Sequence, residues 1–271
     1  VRLFLNDGRG HFAETTDQAG LRSSSGAMSL SLADVDGDGD LDLYVVNYRT
    51  DTIADQPSTR FQVQTVQGRP VVAHVNGQPV TLPRWTNRFE VSDSGNVVER
   101  GEPDVLYRND GTGKFSAVSF TDGTFLDENG NPLTGPPSDW GLAVQMHDIT
   151  GDGAPDIYVC NDFASPDRIW INEGKGRFRA INRTAIRTTS SSSMGVDFAD
   201  IDRDGNTDCF VVDMLSPSHR MRNMQVGERA PFRWPSGTLD NRPQVGRNTL
   251  QRSRGDGTFA ETAWFSGVEA S

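Results

Sequence analysis

Asp34 to Asp42 reads DVDGDGDLD, five aspartates at alternate positions in nine residues. Carboxylates crowded this closely repel one another strongly unless a cation sits among them. Hard cations such as calcium take six to eight oxygens, mostly from carboxylates and carbonyls, and alternating Asp in a Gly-bent loop supplies them. The pattern returns as DITGDGAPD at Asp148 to Asp156 and as DIDRDGNTD at Asp200 to Asp208. Three copies in one chain constrain the fold strongly, because each copy must occupy an equivalent piece of structure.

Within each copy the ligand pattern is side chains at positions one, three, five and nine and a backbone carbonyl at position seven. In the first loop these are Asp34, Asp36, Asp38 and Asp42, with Asp40 at seven. In the second they are Asp148, Thr150, Asp152 and Asp156, with Ala154 at seven. In the third they are Asp200, Asp202, Asp204 and Asp208, with Asn206 at seven. Gly39, Gly153 and Gly205 stand at position six, where the chain turns tightly. An EF-hand shares the opening DxDxDG but needs a bidentate Glu at position 12, inside a helix. Position 12 here is Val45, Val159 or Val211, each in a β-branched run that reads as a strand. The EF-hand is therefore rejected, and about three structural calcium ions in strand-to-strand loops are expected. Thr150 supplies a neutral oxygen, so the second loop is expected to bind more weakly.

A second repeat accompanies the loops. It reads RLFLNDGRGHF from Arg2, VLYRNDGTGKF from Val105, RIWINEGKGRF from Arg168 and, more weakly, TLQRSRGDGTF ending at Phe259. Each is a short β-rich run, a Gly-bearing turn and a phenylalanine, which is a hairpin signature. Strand, aspartate loop, strand, strand, Gly turn, strand makes a unit of four antiparallel strands. Its repetition is the sequence sign of a β-propeller blade. The expected fold is all-β: a partial β-propeller of four-stranded antiparallel blades, with a partial blade at 1–18 and full blades at about 27–120, 139–183 and 193–263. Insertions fall at 48–104, 121–139 and 214–248. Strand alternation puts all three on the face opposite the aspartate loops, and the incomplete first blade reads as part of a longer propeller. Asn76-Gly77 and the run TFLDENGNPLT mark hairpins inside the first two insertions.

The formal net charge of -11 is unevenly placed, because the three loops hold much of the acid. No basic nucleic-acid footprint is present, and no apolar run reaches the roughly 18 residues of a membrane span. Cys160 and Cys209 sit four residues and one residue past their position-nine aspartates. That parity places them on opposite faces of equivalent strands and predicts two buried thiols. Ser190 to Ser193 reads as a flexible connection. The four histidines show no zinc-like spacing, and no nucleophile elbow, P-loop or dinucleotide fingerprint occurs.

ADVDGDGDLDLYV with LFLNDGRGHF, and their later copies, resembles the FG-GAP or VCBS repeats of integrin-α-like β-propellers. WGLAVQMHDITGDGAPDIYVCND and MLSPSHRMRNMQ resemble the bacterial ASPIC/UnbV and cartilage-acidic-protein group. The resemblance implies seven blades with calcium in the first-to-second strand loops, extracellular or cell-envelope placement, and adhesion or ligand recognition. The long insertion at 48–104 departs from that pattern.

A recognition role needs a surface. Trp85 with Arg84 and Arg88, and Trp234 with Arg233, lie in insertions, and aromatic–Arg pairs are enriched at binding hot spots. Arg220 and Arg222 add to an arginine-rich stretch in 214–248, which favours an acidic protein or glycan partner. The expected function is non-enzymatic. The alternatives are a calcium-dependent polysaccharide lyase, with His74 or His219 beside the arginines, and a purely structural part of a surface assembly.

Overall fold

The computed structural model describes residues 1–92, 95–163, 165–216, 218–226 and 241–270. It opens with a hairpin, β1 (Phe4–Asn6) and β2 (Phe12–Glu14). Next come β3 (Ala27–Ala33) and β4 (Asp42–Asn47), which flank the first aspartate loop. The 48–104 insertion carries β5 (Phe61–Val66), β6 (Arg69–Val75), β7 (Gln78–Pro79), β8 (Phe89–Val91) and β9 (Val97–Glu99). β10 (Val105–Asn109) and β11 (Phe115–Ala117) follow it, then β12 (Phe125–Leu126). β13 (Gly141–His147) and β14 (Asp156–Asn161) flank the second loop, and β15 (Arg168–Asn172) and β16 (Phe178–Ala180) the next Gly turn. After β17 (Thr189–Ser190), β18 (Ser193–Ala199) and β19 (Asp208–Asp213) flank the third loop. A helix α1 (His219–Val226), β20 (Gln244–Val245), β21 (Thr249–Ser253), β22 (Phe259–Glu261) and the short helix α2 (Ala263–Ser266) complete the chain.

Three antiparallel sheets organise these strands, each in chain order. The first runs β3-β4-β10-β11, the second β13-β14-β15-β16 and the third β18-β19-β21-β22. The chain is thus mostly β. Every residue of β4 and of β14 is buried. The second strands therefore read as near-continuous apolar runs, because both of their faces are covered.

The sheets stack face to face. Tyr44, Val46 and Leu106 of the first sheet pack on Val144, Ile157, Val159, Trp170 and Phe178 of the second. The opposite face of the second sheet, through Tyr158, Cys160 and Ile169, packs on Val196, Cys209, Val211 and Phe259 of the third. The two cysteines are free and buried in this shared cluster, on opposite faces of the equivalent strands β14 and β19. Ala19, Leu21 and Leu3 cover Leu43, Val45 and Tyr107 on the outer face of the first sheet. The first strands β3, β13 and β18 are neighbours, with β13 against both of the others.

The structure departs from the sequence expectations at three places, two in the insertions and one at the serine run. Asn76-Gly77 does turn a hairpin, β6 to β7, with both residues at positive φ. The longer pair in that insertion, however, is β5–β6 around Gln67-Gly68. β12 does not stay at the end opposite the aspartate loops: it runs parallel to β16 as a fifth strand, starting beside Phe178. The serine run is not a flexible connection. Ser190, Ser192 and Ser193 are buried, Ser190 donates its hydroxyl to Asp213, and the Ser191 and Ser192 amides donate to the same carboxylate at 3.2 and 3.1 Å. Asp213 replaces the water that such a polar run would otherwise need.

Candidate metal centres

The three aspartate loops fold alike because position one collects the loop's amides. Asp34 accepts hydrogen bonds from the amides of Gly37, Asp38 and Gly39 at 2.8, 3.2 and 2.9 Å. Asp148 accepts from Gly151, Asp152 and Gly153 at 2.7, 3.1 and 2.8 Å. Asp200 accepts from Asp204 and Gly205, both at 3.0 Å. Gly39, Gly153 and Gly205 have φ of +95°, +89° and +89°, which glycine adopts without a Cβ penalty. Position five then accepts the amide of position seven: Asp38 from Asp40, Asp152 from Ala154 and Asp204 from Asn206.

Position nine is buried in all three loops. Asp42 accepts the amides of Val35 and Asn109, and Asp156 those of Ile149, Thr150 and Asn172. Asp208 accepts those of Ile201 and Ser253. This aspartate therefore staples the loop's second residue to the end of the third strand, across the sheet. Burial pushes the carboxyl of Asp156 up to about 7 against the pull of its amide donors, and burial likewise raises that of Asp42. Cations and charged donors nearby favour the ionised form of such groups.

The residues fit a hard cation at two loops. Asp34, Asp36 and Asp42 each bring a carboxylate oxygen within 4.8 Å of the others, and Asp200, Asp202 and Asp204 do the same. Asp36 Oδ1 is buried and has no hydrogen-bond partner among the described residues. An orphaned carboxylate oxygen in a shell of others is costly unless something positive meets it. The second loop, with Thr150 at position three, forms no such acidic trio among the described residues.

Two arginines beside these loops escaped the sequence reading. Arg108 Nη1 donates to Asp36 Oδ2 at 2.8 Å, and Arg252 pairs with Asp202. Each stands one residue before the end of its third strand. Register counted back from the Gly turn was the signal that could have found them.

The suggested recognition residues fall in varied places. Trp85 is buried in the core of its own insertion with Val72 and Val75. Arg88 is buried too, stacked 5.2 Å from the Trp85 ring and paired with Glu99. Both side chains hold the insertion together. Arg84 is exposed, 4.8 Å above the same ring. Arg220 is exposed on α1, whereas Arg222 donates to the carbonyls of Ser216 and Gly246 and pins that segment. Arg233 and Trp234 lie outside the described residues. His74 sits on β6, and His219 opens α1 bonded to Asn223.

The FG-GAP-like repeat family model matches residues 1–45 and 148–211, segments that contain all three aspartate loops. Among curated proteins no relative matches the chain. Among solved structures, an Agrocybe aegerita lectin described as recognising non-reducing terminal N-acetylglucosamine is 17% identical, with a TM-score of 0.31. That alignment covers 96% of this chain and 59% of the lectin chain. At that score the likeness says nothing of this chain's ligand. No helix among the described residues is long and apolar enough to cross a membrane. Over those two segments, which carry the three aspartate loops, the chain is similar to FG-GAP-like repeats.

Proposed function

We propose that the chain is a calcium-rigidified segment of a β-propeller that serves as an extracellular or cell-envelope recognition module. FG-GAP repeats suggest adhesion or recognition outside the cell, and that coarse reading rests on the family match. The three sheets are the blades, at about 27–120, 139–183 and 193–263, with 1–18 the outer half of a preceding blade. The face-to-face stacking of the sheets and the adjacency of β3, β13 and β18 support this. Leu30 of β3 is 51% exposed, whereas Val144 and Val196, at the same register in β13 and β18, are 5% and 6% exposed. A further sheet packed on β3 would cover Leu30 as the first sheet covers Val144 and the second covers Val196.

The observation that carries the metal reading is the Asp34, Asp36 and Asp42 carboxylate trio, in which Asp36 Oδ1 is buried without a hydrogen-bond partner among the described residues. Asp34, Asp36, Asp38 and Asp42, with the Asp40 carbonyl, would hold one ion. Asp148, Thr150, Asp152 and Asp156, with Ala154, would hold a second, and Asp200, Asp202, Asp204 and Asp208, with Asn206, a third. Bound calcium supplies positive charge that lets the carboxylates approach; the chain's own amides and staples fix where they stand.

The partner is an acidic glycan or protein surface, engaged through exposed arginines of the insertions, Arg84 and Arg220 foremost. Deleting the whole third insertion is a poor test, because β20 pairs with β17 and Arg242 is buried against Glu128. The cleaner test is retention on immobilised polygalacturonate in calcium, for the native chain and for Arg84→Glu with Arg220→Glu. Salt-sensitive retention that the double substitution abolishes is expected. No retention of the native chain, or equal retention of both, overturns the partner assignment.

A further inference from the structure

The third-strand residue facing position three of the aspartate loop changes in step with it through the chain. Asp36 stands with Arg108 and Asp202 with Arg252, whereas Thr150 stands with Ile171. Those three residues occupy one register: Arg108, Ile171 and Arg252 each precede the strand-ending Asn109, Asn172 or Ser253, whose amides donate to the position-nine carboxylates. An acid at position three comes with a cation, and a neutral oxygen with an alkyl group.

Arg108 does more than neutralise. Its Nη1 donates to Asp36 Oδ2 at 2.8 Å, while Oδ1 of the same carboxylate is buried with no hydrogen-bond partner among the described residues. Its Nη2 donates to the carbonyls of Lys175 and Gly176 at 3.2 and 2.9 Å, in the Gly turn of the second sheet. The guanidinium fills the gap between the sheets so fully that a Cβ on Gly176 would strike it. Between the second and third sheets Ile171 stands in the corresponding register. There a cleft of about 350 Å³ remains, lined by Thr150, Ile171, Arg179, Asn206, Ser253 and Phe259.

We propose that Arg108 is a positioning residue for the cation of the first loop. It grips Asp36 Oδ2, leaves Oδ1 of that carboxylate for the ion, and ties the loop to the Gly turn of the neighbouring sheet. Arg252, in the same register, holds Asp202 of the third loop. This rests on the calcium reading of the loops. Hydrogen bonds to ligating carboxylates fix their orientation, and losing such a partner costs metal affinity about 10- to 100-fold. The opposing effect is relief of repulsion between guanidinium and ion. The two effects move the calcium midpoint in opposite directions, so the sign of the shift separates them.

The test is a calcium titration of the full chain followed by the amide resonances of Gly39, Gly153 and Gly205, one in each loop. Arg108→Met is expected to raise the Gly39 midpoint about 10- to 100-fold and to leave the Gly205 midpoint in place. Arg108→Lys keeps the charge but not the fork, and it fails to restore the Gly39 midpoint. Should Arg108→Met not fold, Arg252→Met, whose side chain is 42% exposed, gives the same readout at Gly205 against Gly39. A midpoint that is unchanged or lower, or one rescued by lysine, overturns the positioning role. If none of the three glycines of the native chain responds to calcium, the metal reading itself falls.

Discussion

Gly153→Ala isolates the backbone cost of the loop turn. Gly153 has φ of +89°, and a Cβ placed there meets no atom within 4 Å. The substitution therefore adds no clash and removes no packing; its cost is the conformation alone. For an L-residue held in that region the cost is about 1–2 kcal/mol. The chain cannot relax cheaply, because the Gly153 amide donates to Asp148 Oδ2 at 2.8 Å and rotating φ away breaks that bond. Urea unfolding with chelator reads the cost directly. Melting should shift down by roughly 2–8 °C, given about 2–4 °C per kcal/mol for a chain near this size. Gly176→Ala is the contrast. Its φ of +65° suits alanine better, yet the new Cβ meets the Arg108 guanidinium. Its destabilisation should shrink when combined with Arg108→Ala, whereas that of Gly153→Ala should not. A Gly153→Ala change under about 0.5 kcal/mol would refute the claim that Asp148 and its amides hold the loop in this shape without help.

Two further outcomes follow from buried carboxylates. Asp104 accepts the Asn47 amide and the Tyr44 hydroxyl, and burial pushes its carboxyl up to about 8. Folded Asp104 keeps a proton that the unfolded chain releases near pH 4, so stability falls as pH rises through that window. From pH 6 to 9 the loss is about 3 kcal/mol at 1.36 kcal/mol per pH unit. Asp104→Asn should flatten that part of the pH profile in urea unfolding; an identical slope in both proteins would refute the assignment. Arg168 and Asp139 form a buried bidentate pair at 2.7 and 2.9 Å. Arg168→Met alone should cost about 3–5 kcal/mol by stranding Asp139, and adding Asp139→Leu should recover most of it.

The loops and hairpins were legible because their causes are local. A position-one aspartate caps amides three to five residues on, and the glycine at position six answers to its own φ. The second strands were legible as apolar runs because both faces are covered. Partners far along the chain hid the rest. Ser190 to Ser192 looked like a linker until Asp213, more than twenty residues on, drew them inside. β12 became a parallel edge strand only because β16 lies beside it. Trp85 and Arg88 looked like a hot spot, but Glu99 and the apolar side chains of the same insertion enclose them. Arg108 carried no motif, because its meaning lies in Asp36, 72 residues away.

The central claim is that the three aspartate loops bind calcium and that the ions stiffen the stacked sheets. Its most direct test is thermal unfolding of the native chain in chelator, in millimolar magnesium and in millimolar calcium. A site filled at a hundred times its dissociation constant stabilises the fold by about 2.7 kcal/mol. Calcium should shift melting clearly upward, magnesium should not match it, and Asp36→Asn with Asp202→Asn should largely remove the shift. Unfolding at one temperature in all three solutions would contradict the central claim.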